Sequence, residues 1–181
     1  MIDANAVTAV VVTYNRLALL QQCLAALCAQ TVQDFTVLVV DNASTDGTAD
    51  YLKTLDMPGL VCRNPGKNLG GAGGFAYGIR EAAALGCKAV WIMDDDTLPT
   101  PTALETLLAA DAGWLSGRAL APDGADQPMN LQRKTMYRDI DGFGDGKGEI
   151  PAVMASFVSL FLRVETVRQF GLPIAEFFIW S

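Results

Sequence analysis

Ala89-Val90-Trp91-Ile92-Met93 is a short apolar run that ends abruptly in Asp94-Asp95-Asp96, and this junction decides how the rest of the chain is read. An unbroken apolar run without polar alternation suits a strand covered on both faces, as in a parallel sheet flanked by helices. The same design occurs twice upstream. Ala6 to Thr13 is a β-branched apolar run broken by Asn15-Arg16, and Phe35 to Val40 is another that ends on Asp41. Helical patterns fill the intervals. Leu17, Leu20, Leu24 and Leu27 recur at helical spacing up to Gln30. Thr48 to Leu55 reads as a short helix after the turn residues Ser44-Thr45-Asp46-Gly47. Leu60 to Cys62 is a candidate third strand. The glycine-rich stretch Asn64 to Gly74 then leads into a helix that runs through Ala84 and stops at Gly86. Strands alternating with helices predict an α/β fold with a mostly parallel central sheet built from right-handed crossovers.

Past Pro99 the pattern loosens. A helix is expected over Leu104 to Ala110, a strand over Trp114 to Leu120, and another apolar strand over Val153 to Leu162. Residues 122–148, rich in Gly, Asp and Pro, read as one long loop, a length that usually marks a functional or mobile segment. The 181 residues are 51% hydrophobic and 18% charged, which suits a single folded domain with a real core and argues against disorder. A net charge of −7 argues against nonspecific binding to nucleic acid, because neutralising phosphates needs clustered Lys and Arg. The chain has no histidine, so it holds no Ser-His-Asp or Cys-His machinery and no His-liganded zinc. Carboxylates are left as the obvious charged chemistry.

The four cysteines, Cys23, Cys28, Cys62 and Cys87, form no CxxC and fall in apolar or helical stretches, so buried reduced thiols are expected. The first five residues lack a basic leader region, and Ile150 to Leu162 is too short to span a bilayer. The expected location is therefore cytoplasmic.

In an open α/β sheet, ligands bind outside the carboxyl ends of the strands. Thr13-Tyr14-Asn15-Arg16, Asp41 to Gly47, and Asp94-Asp95-Asp96 all fall at such ends, and parallel strands would bring them to one edge. Three adjacent carboxylates repel each other, and a hard divalent cation with oxygen ligands relieves that repulsion. Asp94 and Asp96, alternating along an extended backbone, are the candidate ligands for Mg2+ or Mn2+. The competing reading is a solvated acidic turn capped by Thr97 or Thr100. Asp41 is placed to accept from a base N–H or a ribose hydroxyl, or else it simply forms a turn. Asn68-Leu69-Gly70-Gly71-Ala72-Gly73-Gly74 permits close backbone approach to a ligand, or alternatively close helix packing. Its loose GxGxxA match lies outside the first strand–helix unit and is a poor dinucleotide signature. Arg16 and Lys67 are the nearest cations for a phosphate, Tyr14 is a base-stacking or core aromatic, and Asp46-Gly47 reads as structural.

Taken in order, Val10 to Arg16, Val39 to Thr48, Asn68 to Gly74 and Trp91 to Thr97 resemble the family 2 inverting glycosyltransferases. Within that group, the glycine-rich segment and the Asp triplet are most similar to the galactofuranosyl- and rhamnosyltransferase branch. The resemblance covers Ala6 to Leu108 and, more loosely, Val153 to Ser181. It implies a GT-A fold and transfer of a sugar from a UDP- or dTDP-sugar to a hydroxyl acceptor, glycan or lipid-linked, in cell-envelope or polysaccharide synthesis. It implies that Thr13, Tyr14, Asn15 and Arg16 line the uridine and diphosphate pocket and that Asp41 contacts the base or ribose. Asn68, Gly70 and Gly71 would sit against the donor. Asp94 and Asp96 would form the metal-binding DxD motif, with Asp95 facing the sugar.

The same resemblance divides the single domain 1–181 into a nucleotide-sugar-binding half, 1–98, and a partial acceptor half, 99–181. In relatives of this branch, a segment like Phe177-Phe178-Ile179-Trp180-Ser181 runs on into an acidic motif that supplies the catalytic base. The base is accordingly expected after Ser181, and the chain by itself is expected to have little transferase activity. Peripheral membrane association at the inner face is an expectation for a longer parent. Two alternatives remain at this level: a non-catalytic nucleotide-binding module, and a haloacid-dehalogenase-type phosphatase with Asp94-x-Asp96 as its nucleophile motif. The second is disfavoured because three strand–helix units precede Asp94 and Leu98 stands where that motif has Thr or Val.

Overall fold

The computed structural model describes residues 2–110, 112–135, 138–139 and 151–178. Four strands, β1 (Val7–Thr13), β2 (Thr36–Asp41), β3 (Leu60–Arg63) and β4 (Ala89–Asp94), alternate with α1 (Leu17–Cys28), α2 (Thr48–Thr54) and α3 (Gly70–Ala84). After α4 (Ala103–Ala109) come β5 (Trp114–Ser116), a small hairpin of β6 (Arg133–Thr135) and β7 (Arg138–Asp139), then β8 (Leu160–Arg163) and α5 (Val164–Phe170). The main sheet has the order β3-β2-β1-β4-β8-β5. β1 to β4 run parallel, while β8 is antiparallel to both β4 and β5. The fold is therefore mixed α/β with a mostly parallel six-stranded sheet.

Alternate residues of each central strand point to opposite faces, and each face has its own helices. Val7, Ala9 and Val11 of β1 pack with Leu20, Leu24 and Leu27 of α1 and Leu104 of α4. Val10 and Val12 pack with Phe75, Ile79 and Ala82 of α3. Every residue of β1 is buried, which is why the sequence shows a continuous apolar run instead of an alternating one. α3 lies unusually close to the sheet. A Cβ added at Gly78 would meet Val10 at 2.5 Å and Val40 at 3.0 Å, and one at Gly74 would meet Val12 at 2.6 Å.

Several boundaries differ from the sequence reading. The glycine-rich stretch is not a loop ahead of a helix: α3 begins at Gly70, and most of the glycines lie inside it where they let the helix approach the sheet. The strand expected over Trp114 to Leu120 stops at Ser116, and Leu120 pairs instead with Asp126 in a local turn. Only Leu160–Arg163 of the stretch from Val153 is strand, because Ser159 adopts a left-handed φ of 53° that breaks the extended backbone. Within 122–148, the β6–β7 hairpin interrupts the expected loop, and 140–148 lies outside the described residues. All four cysteines are free, but only Cys23 is buried. Cys28 closes α1 and Cys62 sits on the edge strand β3, and both are exposed. Among the described residues, no helix is long and apolar enough to cross a membrane.

Candidate functional site

The chain winds outward from β1 to β2 and β3, then returns to place β4 on the other side of β1. Such a reversal opens a crevice outside the carboxyl ends of the two strands that flank it. The register places Thr13 opposite Asp41 and Val12 opposite Asp94, so three of the polar strand ends sit side by side.

The aspartate triplet lies at this edge. Asp95 is buried; its carboxylate accepts from Thr13 Oγ1 at 2.7 Å and from Arg16 Nη1 at 3.5 Å. The same guanidinium donates to Asp96 Oδ2 at 3.1 Å. β4 ends at Asp94, and Thr97 N–H donates to the Asp94 carbonyl at 3.1 Å, closing a turn. The expected alternation of Asp94 and Asp96 along an extended backbone is thus replaced by a turn that brings Asp95 and Asp96 to Arg16. The Thr97 hydroxyl, expected as a cap, is buried with no partner.

Asp94 is half-buried, and its carboxylate makes no hydrogen bond or ion pair among the described residues. Burial first, then Asp96 and Asp95, push its pKa up to about 6, against a smaller opposing pull from Arg16. Asp95 is also raised by burial, with the Thr13 hydrogen bond and Arg16 opposing. Below the turn, Cys23 Sγ lies 4.0 Å from the Asp94 carbonyl, and burial followed by the three carboxylates drives its thiol up to about 12. Three carboxylates facing one guanidinium leave uncompensated negative charge on hard oxygen donors. That donor set fits Mg2+ or Mn2+. Among the described residues, no group of three or more His, Cys, Asp or Glu side chains is arranged to hold a metal ion by itself. An open set suits a cation that completes its shell with phosphate and water oxygens.

Across the crevice, Asp41 is buried and accepts from the Ser44 N–H at 2.9 Å and from Asn64 Nδ2 at 3.3 Å. It lines a cleft of about 260 Å³ with Leu52, Lys53, Cys62, Arg63 and Asn64. Asn15, at a left-handed φ of 53°, ties two loops together: its Oδ1 accepts from Thr45 N–H at 2.7 Å, and its N–H donates to Ser44 Oγ at 2.9 Å. Asp46 is structural as expected, accepting from Leu17 N–H at 2.9 Å and from the Thr48 hydroxyl at 2.6 Å. Tyr14 is 43% exposed and so does not serve the core. Lys67 is exposed, away from the triplet's ion pairs.

Asn68 Oδ1 accepts from Gly70 N–H at 2.8 Å, and Gly71 is half-buried. Gly70 has φ +70°, and a Cβ there would lie 2.1 Å from the Phe178 carbonyl oxygen. The close backbone approach expected at this glycine is therefore made by the segment around Ala175–Phe177. The sequence reading passed over Asn42, Ser44, Asn64 and Phe178. Asn42 and Ser44 stood inside a quoted cluster, but nothing in spacing alone distinguishes an amide that bridges elements from one that forms a turn.

The model of Glycosyl transferase family 2 matches residues 8–117, the part of the chain that builds β1 to β5 and the crevice. The chain belongs to this family. Galactofuranosyltransferase GlfT1 of Mycolicibacterium smegmatis is 29% identical over 191 residues, covering 99% of this chain and 63% of that protein. The protein of the same name in Mycobacterium tuberculosis (strain H37Rv) is 31% identical over 192 residues, 97% of this chain and 61% of that one. The chain thus spans a little under two thirds of these curated relatives. Among solved structures, the mannosyltransferase PcManGT of Pyrobaculum calidifontis, in complex with GDP-Man and Mn2+, superposes with a TM-score of 0.54 at 27% identity. That match covers 68% of this chain and 39% of the other. S. aureus TarS with UDP-GlcNAc gives a TM-score of 0.67 at 17% identity, over 90% of this chain and 46% of that one, a likeness of fold. The architecture is the GT-A fold. Membership of family 2 sets aside the phosphatase reading of Asp94-x-Asp96.

Proposed function

We propose that the crevice at the β1–β4 reversal binds a nucleoside diphosphate sugar and that the protein transfers the sugar to a hydroxyl acceptor with inversion. The observation that carries this reading is the meeting of Thr13, Arg16, Asp41 and Asp94 to Asp96 at one sheet edge, with Asp94 half-buried and unpaired. Asp94 and Asp96 would hold Mn2+ or Mg2+, which when bound stabilises the charge on the leaving diphosphate. The mannosyltransferase solved with GDP-Man and Mn2+ supports use of a divalent cation, and the names of the GlfT1 relatives make UDP-galactofuranose the first donor to test.

This chain's own residues bind and orient. Asp41, steadied by Ser44 and Asn64, faces the base or ribose at the mouth of its cleft. Arg16 carries a largely solvent-exposed guanidinium beside Asp96 and takes the diphosphate. Asp95, fixed by Thr13, faces the sugar. Tyr14 is exposed for stacking on the base, and Asn68, Gly70 and Gly71 set the far wall at the start of α3. Residues 1–98 form the donor half and 99–181 the acceptor side. Calorimetric titration with UDP, with and without Mn2+, tests the reading in wild type and Asp96→Ala. Binding that needs the metal and is lost in the variant is expected; binding unchanged by either refutes the site.

A further inference from the structure

Among the described residues, only two buried side-chain polar atoms lack a hydrogen-bond partner, Asn42 Oδ1 and Thr97 Oγ1, and both follow strands that end at the crevice. Buried polar groups are normally paired, so two orphans at one edge call for an explanation. Asn42 is 2% exposed. Its backbone N–H donates to the Thr13 carbonyl at 2.9 Å, its Nδ2 donates to the Gly70 carbonyl at 3.0 Å, and a Cβ at Gly74 would come within 3.0 Å of that Nδ2. One residue thus joins three elements: its backbone N–H ties the end of β2, beside Asp41, to the end of β1, and its side-chain amide ties it to the first residue of α3. Reversing it would set Oδ1 against the Gly70 carbonyl, two acceptors facing each other, so the network fixes its orientation. An apolar side chain would leave no unpaired Oδ1 but would strip the Gly70 carbonyl of its Nδ2 donor, so it is that hydrogen bond, and not packing alone, that accounts for an amide here.

We propose that Asn42 is a positioning residue of the donor site: through its Nδ2–Gly70 hydrogen bond it sets the start of α3, and with it Asn68, Gly70 and Gly71, against Asp41 and Thr13. This rests on the donor-site reading above. Asn42→Asp tests it, because an ionised carboxylate opposes the Gly70 carbonyl while a protonated carboxyl donates to it again. Burial and the neighbouring Asp41 raise the pKa of the introduced group. Val12, Thr13 and Gly70 to Gly74, which pack around it, bring no titratable side chain.

UDP affinity with saturating Mn2+ is measured by calorimetry at about pH 8 and about pH 5.5, each value divided by that of the wild type so that titration of other carboxylates cancels. The expected ratio is a loss of about tenfold or more at the higher pH that shrinks to within about threefold at the lower. Thermal melts at both pH values confirm folding. Should Asn42→Asp not fold, Asn42→Ser, whose hydroxyl is too short to reach Gly70, is expected to fold and to lose about tenfold in affinity at both pH values. Wild-type affinity at the higher pH, or an equal loss at both for Asn42→Asp, overturns the proposal alone. Absence of UDP binding by the wild type overturns the donor-site reading and this proposal together.

Discussion

Gly78→Ala is the sharpest test of the packing that sets α3 on the sheet, because two effects of opposite sign meet there. Alanine in a helix interior is favoured over glycine by about 1 kcal/mol, so on propensity alone the substitution stabilises. The new methyl would lie 2.5 Å from Val10 Cγ1 and 3.0 Å from Val40 Cγ2, whereas carbon atoms pack at about 3.5–4.0 Å. Neither neighbour can swing aside. Val10 and Val40 are fully buried on central strands, and β-branched side chains are stiff at χ1. The helix must therefore retreat by about 1 Å, and overpacking of this kind costs about 1–3 kcal/mol before the lost contacts of Phe75 and Ile79 are counted. With those lost contacts added, the packing cost outweighs the propensity gain, leaving a net destabilisation of about 1–2 kcal/mol. For a domain of this size that lowers the melting midpoint by about 2–8 °C. Urea denaturation of both proteins, checked for an unchanged m-value, reads the difference directly. A midpoint equal to or above that of the wild type would refute the claim that α3 is seated this closely.

Asp94→Asn removes a half-buried, like-charged carboxylate and is expected to stabilise the metal-free protein by about 1–3 kcal/mol while abolishing metal-dependent UDP binding, seen in melts and calorimetry of the same sample. Arg16→Ala should cost less than about 1 kcal/mol of stability, since the guanidinium is largely exposed, yet weaken UDP binding by about tenfold or more; unchanged affinity would remove Arg16 from the site. Asp46 caps the start of α1, and its hydrogen bonds, first from the Thr48 hydroxyl and then from the Leu17 N–H, hold its carboxyl below the ordinary aspartate range. Its stabilising contribution is therefore present above about pH 4 and lost as pH falls through the lower folded value, so Asp46→Asn should flatten the acid limb of stability relative to wild type. Gly70→Ala forces a side chain into the Phe178 carbonyl at a left-handed φ, and limited proteolysis should find the segment 175–178 cut faster than in wild type.

What the sequence made legible follows from where the signal is local. Val7–Thr13, Thr36–Asp41 and Ala89–Asp94 are buried on both faces, so their apolar runs identified parallel strands within one or two residues, and the polar residue after each run marked the edge where the site lies. Asp46-Gly47 was legible as a turn because Asp caps and Gly takes φ +91° for reasons internal to the segment. The glycines of α3 were not legible in this way, since their cause is distant: Val10, Val12 and Val40 for Gly74 and Gly78, and Phe178 for Gly70. A glycine-rich string looks the same whether a ligand or another part of the chain approaches it. Asn42 was missed for a similar reason, because its partner Gly70 lies 28 residues away. The strand expected from Val153 failed because Ser159 takes a left-handed conformation that no apolar pattern announces.

The unsatisfied groups of the described residues are not scattered. Asp94 without a partner, at the last residue of β4, and the orphaned Asn42 Oδ1 and Thr97 Oγ1, just past the carboxyl ends of β2 and β4, lie at one edge, while the strand interiors a few residues away are apolar and well packed. A sheet with these strands has no need of unpaired polar groups at one edge, and each costs about 1–3 kcal/mol when buried without a partner. The opposite, amino-terminal edge shows no such orphan among the described residues. Local rules broken on one side of an otherwise consistent fold mark the side on which a ligand completes them. If UDP and Mn2+ bind there, the protein should gain more stability from the pair than from either alone, because the cation relieves Asp94 and the diphosphate gives the cation its remaining oxygens. A thermal melt with UDP alone, Mn2+ alone and both would show a combined shift larger than the sum; strict additivity would mean that the two do not share this edge.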